Sequence, residues 1–252
     1  MLVLKTSAEI EIMADGGRKL AEIVAALNRE IRIGITTKEL DRMALHMIHE
    51  AGAEPAFLNY RAPGSVRPYP CSICTSINDV VVHGQPSDYK IKDGDLVKLD
   101  LGLRYMDFCT DMAITVGVGR ISAESKRLME VTEKALSLVV NEVRVGKTLG
   151  DIGYVVERIV KQAGFSVADE LTGHGIGRNL HEDPTVFNFG RRGEGEELEV
   201  GMVLAIEPMV AMGSGRVRQL KDGSFITADG LPSAHYEHTV AVTKDGPKIL
   251  TK

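Results

Sequence analysis

The strongest constraint on the fold of this 252-residue chain is an internal repeat. "GITTKELDRMALHMIHEAG" spans residues 34–52 and "GKTLGDIGYVVERIVKQAG" spans residues 146–164, aligning without a gap at a constant offset of 112. Gly34 falls on Gly146, Thr36 on Thr148, Leu40 on Ile152, Met43 on Val155, Ile48 on Val160 and Ala51-Gly52 on Ala163-Gly164. Strand-like segments recur too. "DGDLVKLD" (93–100) matches "VGMVLAIE" (200–207), setting Gly94 on Gly201 and Asp100 on Glu207. "TDMAITV" (110–116) matches "YEHTVAV" (236–242), setting Asp111 on Glu237. Self-similarity of this kind means one structural unit used twice. Each unit reads helix, helix, a strand closing on an acid, then a strand opening on an acid. The chain is therefore expected to be a single domain of two related halves, roughly 1–120 and 121–252, about a pseudo-two-fold axis.

Helix starts are written into the sequence. Thr6 with Glu9, and Thr36 with Glu39, form capping boxes ahead of apolar stripes at helical spacing. Ile10, Met13, Leu20, Val24, Leu27 and Ile31 form the first stripe, and Leu128, Val131, Ala135, Leu136 and Val139 form a later one between about Ser122 and Val143. Segments 53–72, 84–93, 182–199 and 212–234 are rich in Gly, Pro and charge and are expected to be irregular, as site-forming loops often are.

Composition narrows the class. Net charge is −5, which gives no basic surface for nucleic acid. No apolar run reaches the roughly 18 residues of a membrane span, and the N-terminus does not read as a signal peptide, so a cytoplasmic protein is expected. Cys71, Cys74 and Cys109 are too few for a disulfide framework and read as packing or pocket-lining thiols.

The acids are the chemical puzzle. "LVKLDLGLRYMDFCTD" (96–111) begins as a buried strand yet carries Asp100 and Asp111. A turn centred between Tyr105 and Met106 would set these acids directly opposite each other, where like charges repel. The repeat adds Glu207 and Glu237, bringing four carboxylates towards one axis. Buried carboxylates are costly unless paired or metal-bound, and two divalent cations would balance four of them. "LTGHGIGRNLHEDP" (171–184) adds His174 and His181 in a Gly-rich stretch, and "VVHGQP" (81–86) adds His83. His46, His49, His235 and His238 are assigned no role, although His235 and His238 flank Glu237, where they could serve as hydrogen-bond partners behind it.

These residues resemble type I methionine aminopeptidases of the pita-bread metallopeptidase family, over about Ile10–Leu250. The carriers are "ICTSINDVVVHGQP" (73–86), "LDLGLRYMDFCTD" (99–111), "GHGIGRNLHEDPTVFNFG" (173–190), "GMVLAIEPMV" (201–210) and "SAHYEHTVAVT" (233–243). The resemblance implies an α+β pita-bread fold, with helix-helix-strand units repeated around a curved, mainly antiparallel sheet. It implies two divalent ions (Co, Mn, Fe or Zn) held by Asp100, Asp111, His174, Glu207 and Glu237, with Asp111 and Glu237 bridging. It also implies attack of a metal-bridging hydroxide on the carbonyl after an N-terminal methionine, with Glu207 shuttling the proton. His181 would stabilise the carbonyl oxygen and His83 would contact the scissile amide. Phe57, Tyr60, Tyr69, Cys74 and Leu180 would line the methionine pocket.

Some positions depart from the family pattern. The 61–68 segment is longer than expected, Leu180 stands where an aromatic is common, and the chain has no Trp, with Phe225 near the place of one. The implied substrate is the N-terminal methionine of nascent polypeptides with a small second residue. A monomer acting close to the ribosome is expected, without a nucleic-acid site or membrane segment. Two alternatives stand beside it: an Xaa-Pro aminopeptidase or prolidase on the same fold, and a pita-bread binding module without activity. The first usually carries an additional N-terminal domain, for which a helix starting within ten residues of Met1 leaves no room. The second would be expected to have lost ligand residues, and all five are present.

Overall fold

The computed structural model describes residues 2–61 and 67–252, so most of the 61–68 segment singled out above lies outside the described residues. Among the described residues the α-helices are α1 (Ser7–Glu30), α2 (Thr37–Glu50), α3 (Ala123–Val139) and α4 (Leu149–Gln162). Strands of the first half are β1 (Glu54–Pro55), β2 (Cys74–Ile77), β3 (Val80–Val82), β4 (Leu96–Tyr105) and β5 (Phe108–Gly117). Those of the second half are β6 (Ser166–Val167), β7 (Thr172–Gly175), β8 (Glu182–Phe187), β9 (Val203–Ile206), β10 (Met209–Ala211), β11 (Val217–Gln219), β12 (Phe225–Thr227), β13 (Ser233–His235), β14 (Glu237–Thr243) and β15 (Gly246–Ile249).

The repeat is built as expected. Helices α2 and α4 begin at capping boxes, Thr36 with Glu39 and Thr148 with Asp151, and their ends keep the offset of the sequence match. Nine strands form the main sheet along the path β1-β4-β5-β14-β9-β7-β8, with β2 beside β4 and β15 beside β14, all antiparallel. Its centre, β4-β5-β14-β9, reads the same from either end once repeated strands are equated. The pseudo-two-fold axis therefore passes between β5 and β14. Gly94 and Gly201, each just before a matched strand, share the left-handed conformation at φ +91° and +99°, which only glycine adopts without strain.

Strand periodicity sorts the side chains. Val97, Leu99, Leu101 and Leu103 of β4 face Leu20, Val24 and Leu27 of α1 and Leu40 and Ile48 of α2. Leu204, Ile206, Val240 and Val242 face Leu128, Leu136 and Val139 of α3 and Ile152 and Val156 of α4. Successive strand side chains point to opposite faces. Asp100, Asp111, Glu207 and Glu237 therefore occupy the face turned away from these two apolar clusters.

The expected hairpin register is wrong by two residues. The β4–β5 turn is Met106-Asp107, with φ of 46° and 70°, and Asp100 lies opposite Ala113 while Asp111 lies opposite Gly102. Both turn residues in the left-handed region match a two-residue type I′ hairpin, whose twist suits the flanking strands. A shift of two preserves which face each residue takes, so Asp100 and Asp111 are diagonal neighbours on one face. The segments expected to be irregular also hold short strands, β8 in 182–199 and β11 and β12 in 212–234. Pro184 within β8 and the exposed Arg218 and Gln219 of β11 mask their alternation.

Gly153 shows how closely α4 lies on the sheet edge, because a Cβ there would overlap the carbonyl oxygens of Phe187 and Phe189. Helix propensity alone would make Gly153→Ala stabilising by about 1 kcal/mol. Overpacking against backbone costs about 1–3 kcal/mol, so the variant is expected to be less stable in urea unfolding. A higher midpoint would show that this contact yields.

Candidate metal centre

Each carboxylate arrives from a different strand of the central four. Asp100 comes from β4, Asp111 from β5, Glu237 opens β14, and Glu207 follows β9 where Pro208 ends it. His174 on β7 pairs with Ala205 of β9 and so shares the acid face. Ligand-type atoms of Asp111, His174 and Glu237 lie within 4.8 Å of one another, and so do those of Glu207, His235 and Glu237. Glu237 belongs to both groups. His174 Nε2 is 3.6 Å from Glu207 Oε1, and His235 Nε2 is 3.5 Å from Glu207 Oε2. Asp100 and Asp111 lie within hydrogen-bonding reach of each other.

Burial governs the electrostatics. It pushes Asp100 up to about 7, helped by the Glu207 charge and opposed by His235. Burial likewise holds Asp111, Glu207 and Glu237 well above the usual carboxylate range, with neighbouring acids adding to the rise for Asp111 and Glu237. It pushes His83, His174 and His235 down to about 4 and His181 to about 3, so each imidazole is neutral at pH 7.

Two observations test whether a cation fits. Nδ1 of His174 is 2.8 Å from the carbonyl oxygen of Gly175, which can only accept, so the ring proton sits on Nδ1. Nε2 is then a bare lone pair 3.6 Å from a Glu207 oxygen, a spacing that two ligands of one ion take. The second observation is a set of orphans: Glu237 Oε1 and both ring nitrogens of His235 are buried without a hydrogen-bond partner among the described residues. Buried polar atoms are rarely left so. Acceptors converging on a space from several sides suit a divalent ion, and carboxylates with imidazole suit Mn, Fe, Co or Zn.

The three other predicted histidine and pocket features also gather here. His181 stacks edge-on to His174 with ring centroids 4.3 Å apart, and its Nδ1 is 2.6 Å from the Tyr60 hydroxyl. His83 has φ +60°, a conformation that costs a non-glycine residue about 1 kcal/mol or more and often marks a functional position. Gly84 beside it is bonded to both Thr75 and Ser76, and the ring lies 5.8 Å from Phe225. Phe57, Cys74 and Leu180 share one buried cluster, with Tyr60 and Tyr69 packed against it. Tyr69 meets Phe57 edge-on and donates to the carbonyls of Ile73 and Gly84. The three cysteines are free thiols.

Sequence reasoning missed several residues that hold this arrangement. Lys98 is fully buried on the acid face, its ammonium bonded to Asn78 O (2.6 Å), Ser233 O and Ser233 Oγ (both 3.2 Å). Thr239 grips the Asp111 backbone at both N–H (2.9 Å) and C=O (2.8 Å), and Asn188 donates to the Glu207 carbonyl. A lysine inside the apolar run "LVKLD" was the available signal for Lys98. The His235 ring makes no hydrogen bond among the described residues, though its Nε2 lies 3.5 Å from Glu207 Oε2. His238 does bond, but to Thr251 Oγ1 and not to an acid.

A buried cluster of acids and neutral imidazoles around open acceptor atoms has the chemistry of a metallohydrolase centre. Residues 11–244 match metallopeptidase family M24. A methionine aminopeptidase of Clostridium perfringens is 46% identical over 252 residues, covering 100% of this chain and 99% of that protein. The solved structure of a methionine aminopeptidase from Thermotoga maritima superposes with a TM-score of 0.95 at 38% identity, covering 100% of both chains. A prolidase structure from Pyrococcus furiosus gives 0.80 at 26% identity, covering 99% of this chain and 65% of its own. The chain belongs to metallopeptidase family M24, and within it to the methionine aminopeptidases. Its fold is the pita-bread fold of those neighbours, and membership brings divalent-metal binding with it.

The acid cluster sets a pH dependence for the metal-free protein. Asp100 is raised from 3.8 to about 7, so its contribution to stability is full below about pH 4 and is lost as pH rises through about 7. The lowered histidines act oppositely, costing stability as pH falls from 6.5 towards about 4. Asp100→Asn removes the first effect and also relieves the push that Asp100 exerts on Asp111 and Glu237. Metal-stripped Asp100→Asn is expected to melt higher than the metal-stripped parent near pH 8, with the difference shrinking towards pH 4. A lower melting temperature at pH 8 would contradict the buried-charge reading.

Proposed function

We infer that this chain releases the N-terminal methionine of peptides and nascent proteins whose second residue is small, by metal-assisted hydrolysis of the amide after that methionine. The single observation that carries this is the pair of ligand clusters sharing Glu237, next to the apolar cluster of Phe57, Tyr69, Cys74 and Leu180, whose Cys74 lies opposite Asp100. Asp100, Asp111, His174, Glu207 and Glu237 would hold two divalent ions, with Asp111 and Glu237 serving both. When bound, the metal lowers the pKa of a water and polarises the scissile carbonyl.

The remaining work falls to the chain's own side chains. Glu207, a carboxyl held above its ordinary range, takes a proton on its carboxylate oxygen and returns it to the leaving amine. With the Tyr60 hydroxyl donating to Nδ1 of His181, the ring proton lies on Nε2 and can be donated to the carbonyl oxygen as charge builds there. His83 orients the scissile amide from the opposite side. The pocket takes the methionine side chain, where sulfur against aromatic edges is favourable.

Residues 1–252 act as one catalytic unit in this reading. Three free thiols fit the cytoplasm. A monomer working near the ribosome, where its substrate emerges, is part of the same reading.

Metal-stripped protein is expected to be inactive on Met-Ala- and Met-Gly-peptides and to recover with at least one of Mn, Fe, Co or Zn. His181→Ala should lower kcat by about 10²–10³, the usual cost of losing one such donor, with a smaller change in KM. Methionine release with no added ion, or none with any ion, would contradict the assignment. Faster cleavage of Xaa-Pro peptides would favour the prolidase reading instead.

A further inference from the structure

His235 is the residue that the five expected ligands do not explain. It ends β13, and its backbone is clamped to Thr115: its N–H donates to Thr115 Oγ1 (2.9 Å), which donates in turn to its C=O (2.7 Å). Tyr236 turns to the helix side, its hydroxyl bonded to the Thr115 carbonyl, so His235 and Glu237 point together to the acid face. The residue is 1% exposed, and among the described residues neither ring nitrogen makes a hydrogen bond. A buried imidazole so fixed and without a hydrogen bond is rare. Nε2 lies 3.5 Å from Glu207 Oε2, and the donor atoms of Glu207, His235 and Glu237 fall within 4.8 Å of one another. Ligand atoms each about 2.1 Å from one ion lie about 3–4 Å apart, so the three can share one after side-chain shifts of under about 1 Å.

We propose that His235 is a sixth ligand, a second imidazole donor to the divalent ion held by Glu207 and Glu237. The proposal rests on the metal-dependent reading above. Its consequence is a more nitrogen-rich site, which shifts preference from Mn towards Fe, Co and Zn. A protonated His235 paired with Glu207 is the competing state of the same geometry.

The test uses the full chain, stripped of metal and titrated with Co(II), followed by calorimetry and by proton NMR of the loaded protein. Imidazole N–H protons of cobalt-bound histidines are strongly shifted, and this readout is independent of activity. Two such signals are expected in the parent, from His174 and His235, and one in His235→Gln. The first equivalent of Co(II) should bind at least about tenfold more weakly to His235→Gln. One shifted imidazole signal in the parent, or an unchanged affinity and spectrum in the variant, would overturn the proposal while leaving the metal reading in place. Failure of the parent to bind Co(II) at all would overturn both. The signal count in the parent decides the matter even if His235→Gln does not fold.

Discussion

Repulsion among Asp100, Asp111, Glu207 and Glu237 is the constraint on which the rest of the structure depends. Four carboxyls are delivered to one water-poor region by the four central strands, and burial, with neighbouring acids adding to it for Asp100, Asp111 and Glu237, lifts all of them out of their normal range. Without a cation they keep protons, and the site has no chemistry to offer. With divalent ions they become a charge-balanced anionic cradle. The palindromic strand order makes this possible, since a two-fold repeat delivers two matched pairs of acids to its axis. Glu237, which belongs to both ligand groups, sits where the halves meet.

Holding like charges together demands a stiff frame. The frame consists of polar ties that cross between the halves. Lys98 joins Asn78 of the first half to Ser233 of the second, directly beside the acids. Thr239 fixes Asp111 from the opposing strand, and Thr115 fixes His235 in the same way. Burial lowers Lys98 to about 7, so its ammonium is retained by those oxygens at a cost that water would not impose. Such ties cannot drive folding strongly, because the gain of each bond is offset by desolvation. Their effect is to fix positions, which the repelling acids would otherwise leave.

Much of this was legible in the sequence because it depends on period and spacing. The capping threonines, the helix stripes and the offset of the repeat are local patterns, and local patterns survive folding. The acids were legible because a charged residue inside an apolar strand conflicts with its surroundings. The hairpin register was not legible. "RYMDF" holds no Asn-Gly or Asp-Gly signal, and left-handed Met106 and Asp107 are dictated by the twist of the finished sheet. Strand β8 was hidden by Pro184. His235 and Lys98 were misjudged or missed for a common reason: the groups that fix them include Thr115 for His235 and Ser233 for Lys98, each more than a hundred positions away, and only the assembled sheet brings them together.

The central claim is that divalent metal, shared through Glu237, is what makes this acid cluster stable and reactive. Anomalous scattering from crystals of the full chain grown with Mn(II) or Co(II) tests it most directly. The account predicts two peaks flanking Glu237, both within about 2.0–2.3 Å of its carboxylate oxygens. Empty density there, with the four carboxyls hydrogen-bonded to one another at saturating metal, would contradict it.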